Sequence, residues 1–143
     1  LKEDFMKLIE MGAVDMIHPD LASSGGLLET KKIGDFAMEH AVPMAMHFAG
    51  SPISFAANVH CAAATENFMA LEHHSLDVDW WGDLVHPKPE IKNGYAIVPD
   101  RPGLGVESLN EDLIKKHLHP DHPGYFLPTT EWDADRVNDR LWS

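Results

Sequence analysis

The chain has 143 residues, and its 23 acidic and 11 basic side chains give a net charge of −12 at pH 7 with histidine neutral. This negative charge disfavours nucleic acid and anionic membranes as partners, because both are bound through basic surfaces. No apolar run approaches the roughly 20 residues that a membrane-spanning helix needs, and the single Cys61 excludes an internal disulfide. We therefore expect a cytoplasmic protein with neither nucleic-acid nor membrane partners.

The two ends of the chain predict that it is part of a larger structure. It begins at Leu1, without an initiator methionine or a signal-like segment. From about Trp80 onward, Pro, His and Trp are frequent and regular periodicity is weak. Because such a stretch usually packs against other parts of a protein, we expect a fragment whose residues 80–143 form an irregular tail.

The first segments predict a helix, a strand and a second helix. Apolar residues at helical spacing predict a helix over residues 1–11, which Gly12 would end. The short apolar run 13–17, broken at Pro19, predicts a buried strand. A Ser-Ser-Gly-Gly turn then leads into a helix over about residues 27–40.

The next segments repeat this order. Residues 42–46 predict a second strand, and a Gly-Ser-Pro turn leads into a helix of small residues over about 53–64. Residues 67–71 predict a third strand. Strands that alternate with helices indicate parallel pairing with right-handed crossovers.

Each predicted strand is followed by an ionisable residue. Asp20, His47 and Glu72 stand 27 and 25 residues apart, which is close to one β/α unit each. The carboxyl ends of parallel strands gather catalytic groups in β/α barrels and ligands in open doubly wound sheets. The spacing therefore predicts a shared site but leaves both architectures open. Taken singly, each residue could instead cap a helix, serve packing or be solvated.

A pattern of four segments extends over most of the chain, to about residue 110. Residues 12–21 form an apolar run ending in Pro-Asp-Leu, and residues 42–47 and 68–72 end in His47 and Glu72. Downstream, residues 99–107 read Pro-Asp-Arg-Pro-Gly-Leu-Gly-Val-Glu. These segments resemble the sixth, seventh and eighth barrel strands and the C-terminal signature of the mandelate racemase/muconate lactonizing enzyme branch of the enolase superfamily. At the end of the chain, residues 138–142 read Asn-Asp-Arg-Leu-Trp and are similar to the galactonate-dehydratase group of this branch.

The resemblance implies an α/β fold, namely the C-terminal part of a (β/α)7β TIM-like barrel. Residues 1–79 would contain barrel strands six to eight, and residues 80–143 would pack on the barrel and on a capping domain absent from this chain. In that family one Mg²⁺ is held by carboxylates that would lie before Leu1, so no metal ligand is expected here. The fragment alone would then be inactive, and the full-length protein is expected to be a homo-oligomer.

The resemblance also implies a reaction, the dehydration of a sugar acid after removal of the proton α to its carboxylate. His47 would be the general base, Asp20 would accept a hydrogen bond from its other ring nitrogen, and Glu72 would help to stabilise the enediolate. Racemase, epimerase or cycloisomerase chemistry of the same superfamily stays open. A non-catalytic remnant, in which these residues only hold structure, is the alternative outside the enzymes.

Two histidine motifs are not assigned to a site. Residues 117–122 match the HxHxDH string of metallo-β-lactamase-fold hydrolases, but no histidine follows them, and we expect a surface turn. His18-Pro19-Asp20 spells the J-domain signature but follows an apolar strand rather than a basic helix. His73 and His74 follow Glu72, and neither is assigned a role.

Overall fold

A computed structural model describes residues 2–121 of the chain. The helices are α1 (Lys2–Glu10), α2 (Gly26–Glu39), α3 (Pro52–Ala63) and α4 (Glu111–Lys116), and a 3-10 turn covers Trp81–Leu84. The strands are β1 (Met44–Met46), β2 (Phe68–Leu71), β3 (Val85–His86), β4 (Ile91–Lys92), β5 (Tyr95–Ala96) and β6 (Ser108–Leu109). The three predicted helices are therefore confirmed, each shifted at its ends by about one residue.

The two longer helices begin in different ways. At α3, Ser51 Oγ accepts a hydrogen bond from the Ser54 N–H at 3.3 Å, and Pro52 takes the first helical position. At α2, Gly25 and Gly26 have φ angles of 101° and 85°, which glycine adopts at little cost. Both turns follow a segment that carries a predicted site residue, so they fix where those segments end.

β1 is the central strand of the parallel sheet. Met44, Ala45 and Met46 pair in parallel with residues 68–71 of β2. On the other side of β1, isolated parallel bridges join Ile17 to Met44 and Asp20 to His47. The predicted parallel pairing of three successive segments is confirmed.

The first predicted strand, residues 13–17, is not continuous, and this part of the prediction is wrong. The chain there pairs with β1 only through the two bridges. Pro19 has no backbone N–H, so it cannot donate to the carbonyl of Ala45 at the next position of the ladder. His18 Nδ1 lies 3.0 Å from that carbonyl oxygen instead, while the His47 N–H donates to Pro19 O at 3.0 Å. A side chain thus replaces the missing backbone donor.

The helices cover this sheet with one apolar core. Ile33, Ala37, Met44 and Met46 are each at most 1% exposed. A Cβ atom at position 34 would lie 2.7 Å from the Thr65 side chain, so Gly34 lets α2 pack closely against Thr65. The other buried members of the core are Ile9, Ile17, Leu21, Ala57, Cys61 and Ala62.

The tail attaches to the sheet through aromatic packing. Trp81 packs against a second buried cluster that contains Phe48, Phe55 and Val59. Its indole N–H donates a hydrogen bond of 2.7 Å to the carbonyl of Gly50, in the loop after β1. The frequent aromatic residues of the tail predict packing anchors at Trp80, Trp81, Phe126, Trp132 and Trp142. This is confirmed for Trp81, whereas Phe126, Trp132 and Trp142 lie outside the described residues.

The tail itself contains short regular elements. β3 pairs with β6 and β4 with β5, both antiparallel. With β1 and β2, these give three two-stranded sheets among residues 2–121, so this part of the chain contains no closed barrel. The division at residues 79 and 80 remains a prediction. None of the described helices has the length and apolar character needed to cross a membrane.

Candidate active site at the strand ends

Four polar side chains meet where the parallel segments end. His47 Nδ1 contacts Glu72 Oε2, and His74 Nε2 contacts Glu72 Oε1. His18 Nε2 lies 3.3 Å from Glu72 Oε2. We call His18, His47, Glu72 and His74 the strand-end cluster. His47 and Glu72, two of the three predicted site residues, are therefore in direct contact.

The backbone explains how such distant residues come together. The His47 N–H donates to Pro19 O at 3.0 Å, and the Glu72 N–H donates to Met46 O at 3.0 Å. These bonds hold the three segments in parallel register at the point where each one leaves the sheet. Side chains separated by 25 or more residues in sequence are thereby placed at one edge.

Glu72 is an ionised carboxylate in this arrangement. The hydrogen bond from His74 is the largest cause that lowers its pKa to about 2, and partial desolvation opposes it. Hydrogen bonds from His47 and from the Phe48 N–H, at 3.4 Å, lower the pKa further. At neutral pH Glu72 therefore accepts hydrogen bonds and has no proton to donate.

The contact with Glu72 determines the tautomer of His47. A carboxylate only accepts hydrogen bonds, so His47 Nδ1 carries the proton that is directed to Glu72. Among residues 2–121, His47 Nε2 has no hydrogen-bond partner, and the His47 side chain is 35% exposed. In the neutral imidazole this second nitrogen carries a lone pair and can act as a base.

Asp20 lies beside His47 in the backbone but makes different contacts from those predicted. Its carboxylate accepts hydrogen bonds from the Ala22 N–H at 3.0 Å and from Ser23 Oγ at 2.9 Å. These are the local bonds that aspartate typically forms in turns, and they direct its oxygens to its own segment. The predicted hydrogen bond between Asp20 and His47 is therefore wrong for this structure, since His47 bonds to Glu72 instead. A catalytic role for Asp20 remains a prediction.

Two further groups with potential reactivity, His73 and Cys61, are buried in packing contacts. The ring of His73 lies 5.0 Å from those of Phe55 and Trp81, and both its nitrogens are buried without a hydrogen-bond partner. Desolvation lowers the pKa of His73, which keeps its ring neutral. Cys61 is buried in α3, and desolvation raises the pKa of its thiol. Neither residue has the features of a reactive group.

The strand-end cluster does not suit Mg²⁺. This ion prefers six oxygen ligands in octahedral geometry and keeps several waters. The cluster offers three imidazoles and a single carboxylate. A magnesium site would need further carboxylates.

Comparison with known proteins decides the family. The model of the enolase C-terminal domain-like family matches residues 2–113. The chain belongs to this family. Membership of the enolase superfamily implies a divalent metal, and the matched region includes the whole strand-end cluster.

The relatives of this chain include sugar-acid dehydratases. The chain is 45% identical over 111 residues to D-xylonate dehydratase from Haloferax volcanii, and the match covers 78% of this chain and 27% of the relative. It is 36% identical over 102 residues to arabinonate dehydratase from Saccharolobus solfataricus, covering 71% of this chain and 27% of the relative. The chain thus matches about a quarter of the length of these enzymes.

A solved structure supports the same assignment. A mandelate racemase/muconate lactonizing enzyme-like protein from Rubrobacter xylanophilus superimposes with a TM-score of 0.80 and 37% identity. The match covers 87% of this chain and 32% of that protein. This enolase-family chain therefore has the fold of about one third of a complete member.

Sequence reasoning missed two members of the cluster, His18 and His74. A signal for His18 was present, because the proline after it removes a donor from the sheet and a neighbouring histidine can supply one. His74 stands two residues after Glu72, but its contact depends on how the chain turns after β2. No sequence pattern specified that turn.

Proposed function

We propose that this chain is the catalytic-base segment of a sugar-acid dehydratase that acts by removing the proton α to a carboxylate. The observation that carries the proposal is the His47–Glu72 contact at the strand ends, in a chain 45% identical to a D-xylonate dehydratase. Names of relatives such as D-xylonate, arabinonate and D-galactonate dehydratase support an aldonic acid as the substrate class.

His47 has the features of the base. Its Nδ1–H is directed to Glu72, its Nε2 lone pair has no hydrogen-bond partner among residues 2–121, and its side chain is partly exposed. The negative charge of Glu72 stabilises the imidazolium that forms when His47 takes the α-proton. The electron pair left on carbon forms an enediolate, and its collapse expels the β-hydroxyl as water once a general acid has protonated it. That acid is expected outside this chain.

Asp20 would act on this reaction through the turn that it holds. Its two local hydrogen bonds fix residues 20–23, and the Asp20–His47 bridge joins that turn to the base. We therefore propose Asp20 as a positioning residue in place of a direct partner of the imidazole.

A divalent cation, expected to be Mg²⁺ held by carboxylates N-terminal to Leu1, would supply charge neutralisation for the enediolate when it is bound. The cluster in this chain is not proposed to hold it. A cytoplasmic location and a homo-oligomer remain predictions for the whole protein. The cytoplasmic location agrees with a chain whose single cysteine is buried and forms no disulfide.

The test is exchange of the α-proton in D₂O, measured by NMR on the whole polypeptide that carries this chain, with a panel of aldonic acids. His47→Asn removes the basic nitrogen and should slow exchange by at least about 10²-fold, the usual contribution of a general base. Mg²⁺ binding should be unchanged. His119→Asn, an exposed histidine in the tail, is the matched control and should keep full exchange.

The same experiment separates the alternatives. A 2-keto acid product together with exchange supports dehydration. Exchange that racemises or inverts the configuration at the α-carbon, without loss of water, supports a racemase or epimerase. Full exchange in His47→Asn would remove His47 from the role of base, and no reaction of the wild-type protein with any acid would favour a remnant.

A further inference from the structure

We infer that the strand-end cluster is a binding site for a transition metal ion of the zinc class, separate from the expected Mg²⁺ site. The inference goes beyond the proposed reaction, which uses His47 without any metal on it.

The first observation is convergence. One ring nitrogen of His18, one of His47 and one oxygen of Glu72 all lie within 4.8 Å of one another. Ligands about 2.0–2.2 Å from a common zinc ion in tetrahedral geometry lie about 3.3–3.6 Å from one another, so small side-chain movements would bring these atoms onto one ion. His74 contacts the second oxygen of Glu72 and adds a fourth group next to this set.

The second observation is the tautomer of His18. Its Nδ1 lies 3.0 Å from the carbonyl oxygen of Ala45, which can only accept, so Nδ1 carries the proton. In the neutral ring Nε2 is then a bare lone pair, and it faces Glu72 Oε2 at 3.3 Å. Two acceptors at this distance repel each other unless a proton or a cation lies between them.

That arrangement is the one found around metal-binding histidines. A ligating imidazole commonly donates its other N–H to a backbone carbonyl, which fixes the ring and raises its basicity. The Ala45 carbonyl serves His18 in this way because Pro19 leaves it without a backbone donor. The site is therefore preorganised by the sheet itself.

The donor set selects the class of metal. Two or three imidazoles and one carboxylate suit Zn²⁺, Co²⁺ and Ni²⁺, whereas Mg²⁺ and Ca²⁺ prefer oxygen ligands. The side chains of His18, His47 and Glu72 are 52%, 35% and 31% exposed, so an ion can reach them from solvent. A metal ion held there occupies His47, so this imidazole cannot at the same time remove the α-proton in the proposed reaction.

The test is a titration of the whole polypeptide with Co²⁺ alone as the probe, at neutral pH and with saturating Mg²⁺ present. Visible absorption reports nitrogen ligation, and competition with Zn²⁺ gives its affinity. We expect about one Co²⁺ per chain. His18→Asn keeps a donor for the Ala45 carbonyl, and Glu72→Gln keeps the shape of the side chain. Each substitution should weaken Co²⁺ binding by at least about 10-fold. Loss of a residue that only hydrogen-bonds to a metal ligand already costs about this much affinity.

A histidine of the tail, His119, provides the control for this titration. His119→Asn should leave Co²⁺ binding unchanged, and circular dichroism should show that all three variants are folded. No Co²⁺ bound in the presence of Mg²⁺ would overturn the inference, as would equal affinity in His18→Asn, Glu72→Gln and the wild type. Because binding is measured without substrate, failure here leaves the exchange test of His47 untouched.

Discussion

Two of the groups of histidines and carboxylates within residues 2–121 differ in their construction, and one of these two has the construction of a site. The strand-end cluster draws its members from three segments of a parallel sheet. In the tail, His117 stacks on Trp80 with ring centroids 3.8 Å apart, and His119 Nδ1 lies 3.7 Å from Asp121 Oδ2. His122, the last residue of that motif, lies outside the described residues.

The difference between the two groups lies in their surroundings rather than in their composition. His119 and Asp121 side chains are 74% and 91% exposed and stand two residues apart, so the contact is local. Solvent screens such a pair, and its contribution to stability is small. In the strand-end cluster, by contrast, the backbone of His47 and of Glu72 is held by hydrogen bonds of the parallel sheet. Convergence from distant sequence positions, rather than motif spelling, distinguishes a site.

The largest effect is expected where the tail meets the sheet. Trp81→Ala removes the indole from the Phe48 and Phe55 rings and deletes its hydrogen bond to Gly50. The free energy of unfolding should fall by about 3 kcal/mol, as for loss of a large aromatic side chain. Trp81→Phe keeps most of the packing and should cost about 1 kcal/mol for the hydrogen bond. Chemical denaturation measures both, and equal values would show that packing of the tail contributes little.

Asp20 gives the next effect, within the segment that ends at the cluster. Asp20→Ala deletes the acceptor for the Ala22 N–H and Ser23 Oγ and should lower the free energy of unfolding by about 1 kcal/mol. Asp20→Asn keeps an acceptor oxygen and should lose less. If Asp20→Asn instead destroys α-proton exchange while stability is kept, Asp20 acts on the reaction directly and the positioning role is refuted.

His73→Phe should act in the opposite direction. It replaces two buried, unpartnered nitrogens by an apolar ring among Phe48, Phe55 and Trp81 and should raise stability by about 1 kcal/mol. Because the pKa of His73 is lowered in the folded state, the unfolded chain binds more protons, and stability falls as pH drops through the unfolded value near 6.5. Thermal unfolding between pH 5 and 8 should show that His73→Phe reduces this fall. If the pH dependence of stability is the same in His73→Phe and in the wild type, protonation of the His73 ring does not destabilise the folded protein.

The smallest effect belongs to the tail motif. His119→Ala removes a screened contact and should change the free energy of unfolding by less than about 0.5 kcal/mol. A loss above about 1 kcal/mol, measured by denaturation, would erase the contrast between the two histidine groups.

Periodicity and spacing predicted much of the fold. The apolar spacing in α1, α2 and α3 located these helices, because helical burial repeats along the chain and needs no knowledge of distant residues. The alternation of elements predicted parallel pairing, and from this followed the meeting of His47 and Glu72. The spacing left a barrel and an open sheet as alternatives, and the resemblance implied the C-terminal part of a barrel; residues 2–121 contain no closed barrel.

The contacts within the site could not be read in the same way. Asp20 was assigned to His47, but its oxygens were captured by the Ala22 N–H and the Ser23 hydroxyl, which are closer along the chain. His18 was set aside as part of an unrelated motif. Its role depends on the register that places His18 beside Ala45, which is a relation across 27 residues that local sequence does not express.

Pro19 shows that an unreactive residue can determine which ring nitrogen of a neighbouring histidine carries the proton. An alanine there would restore a backbone donor for the Ala45 carbonyl. The ring of His18 would then be free to turn over and to present an N–H, instead of a lone pair, to the Glu72 carboxylate. Surveys of related proteins that compare only their polar residues would overlook such a change. The imino acid should therefore be inspected together with the histidine whenever the metal preference of a homologue is interpreted.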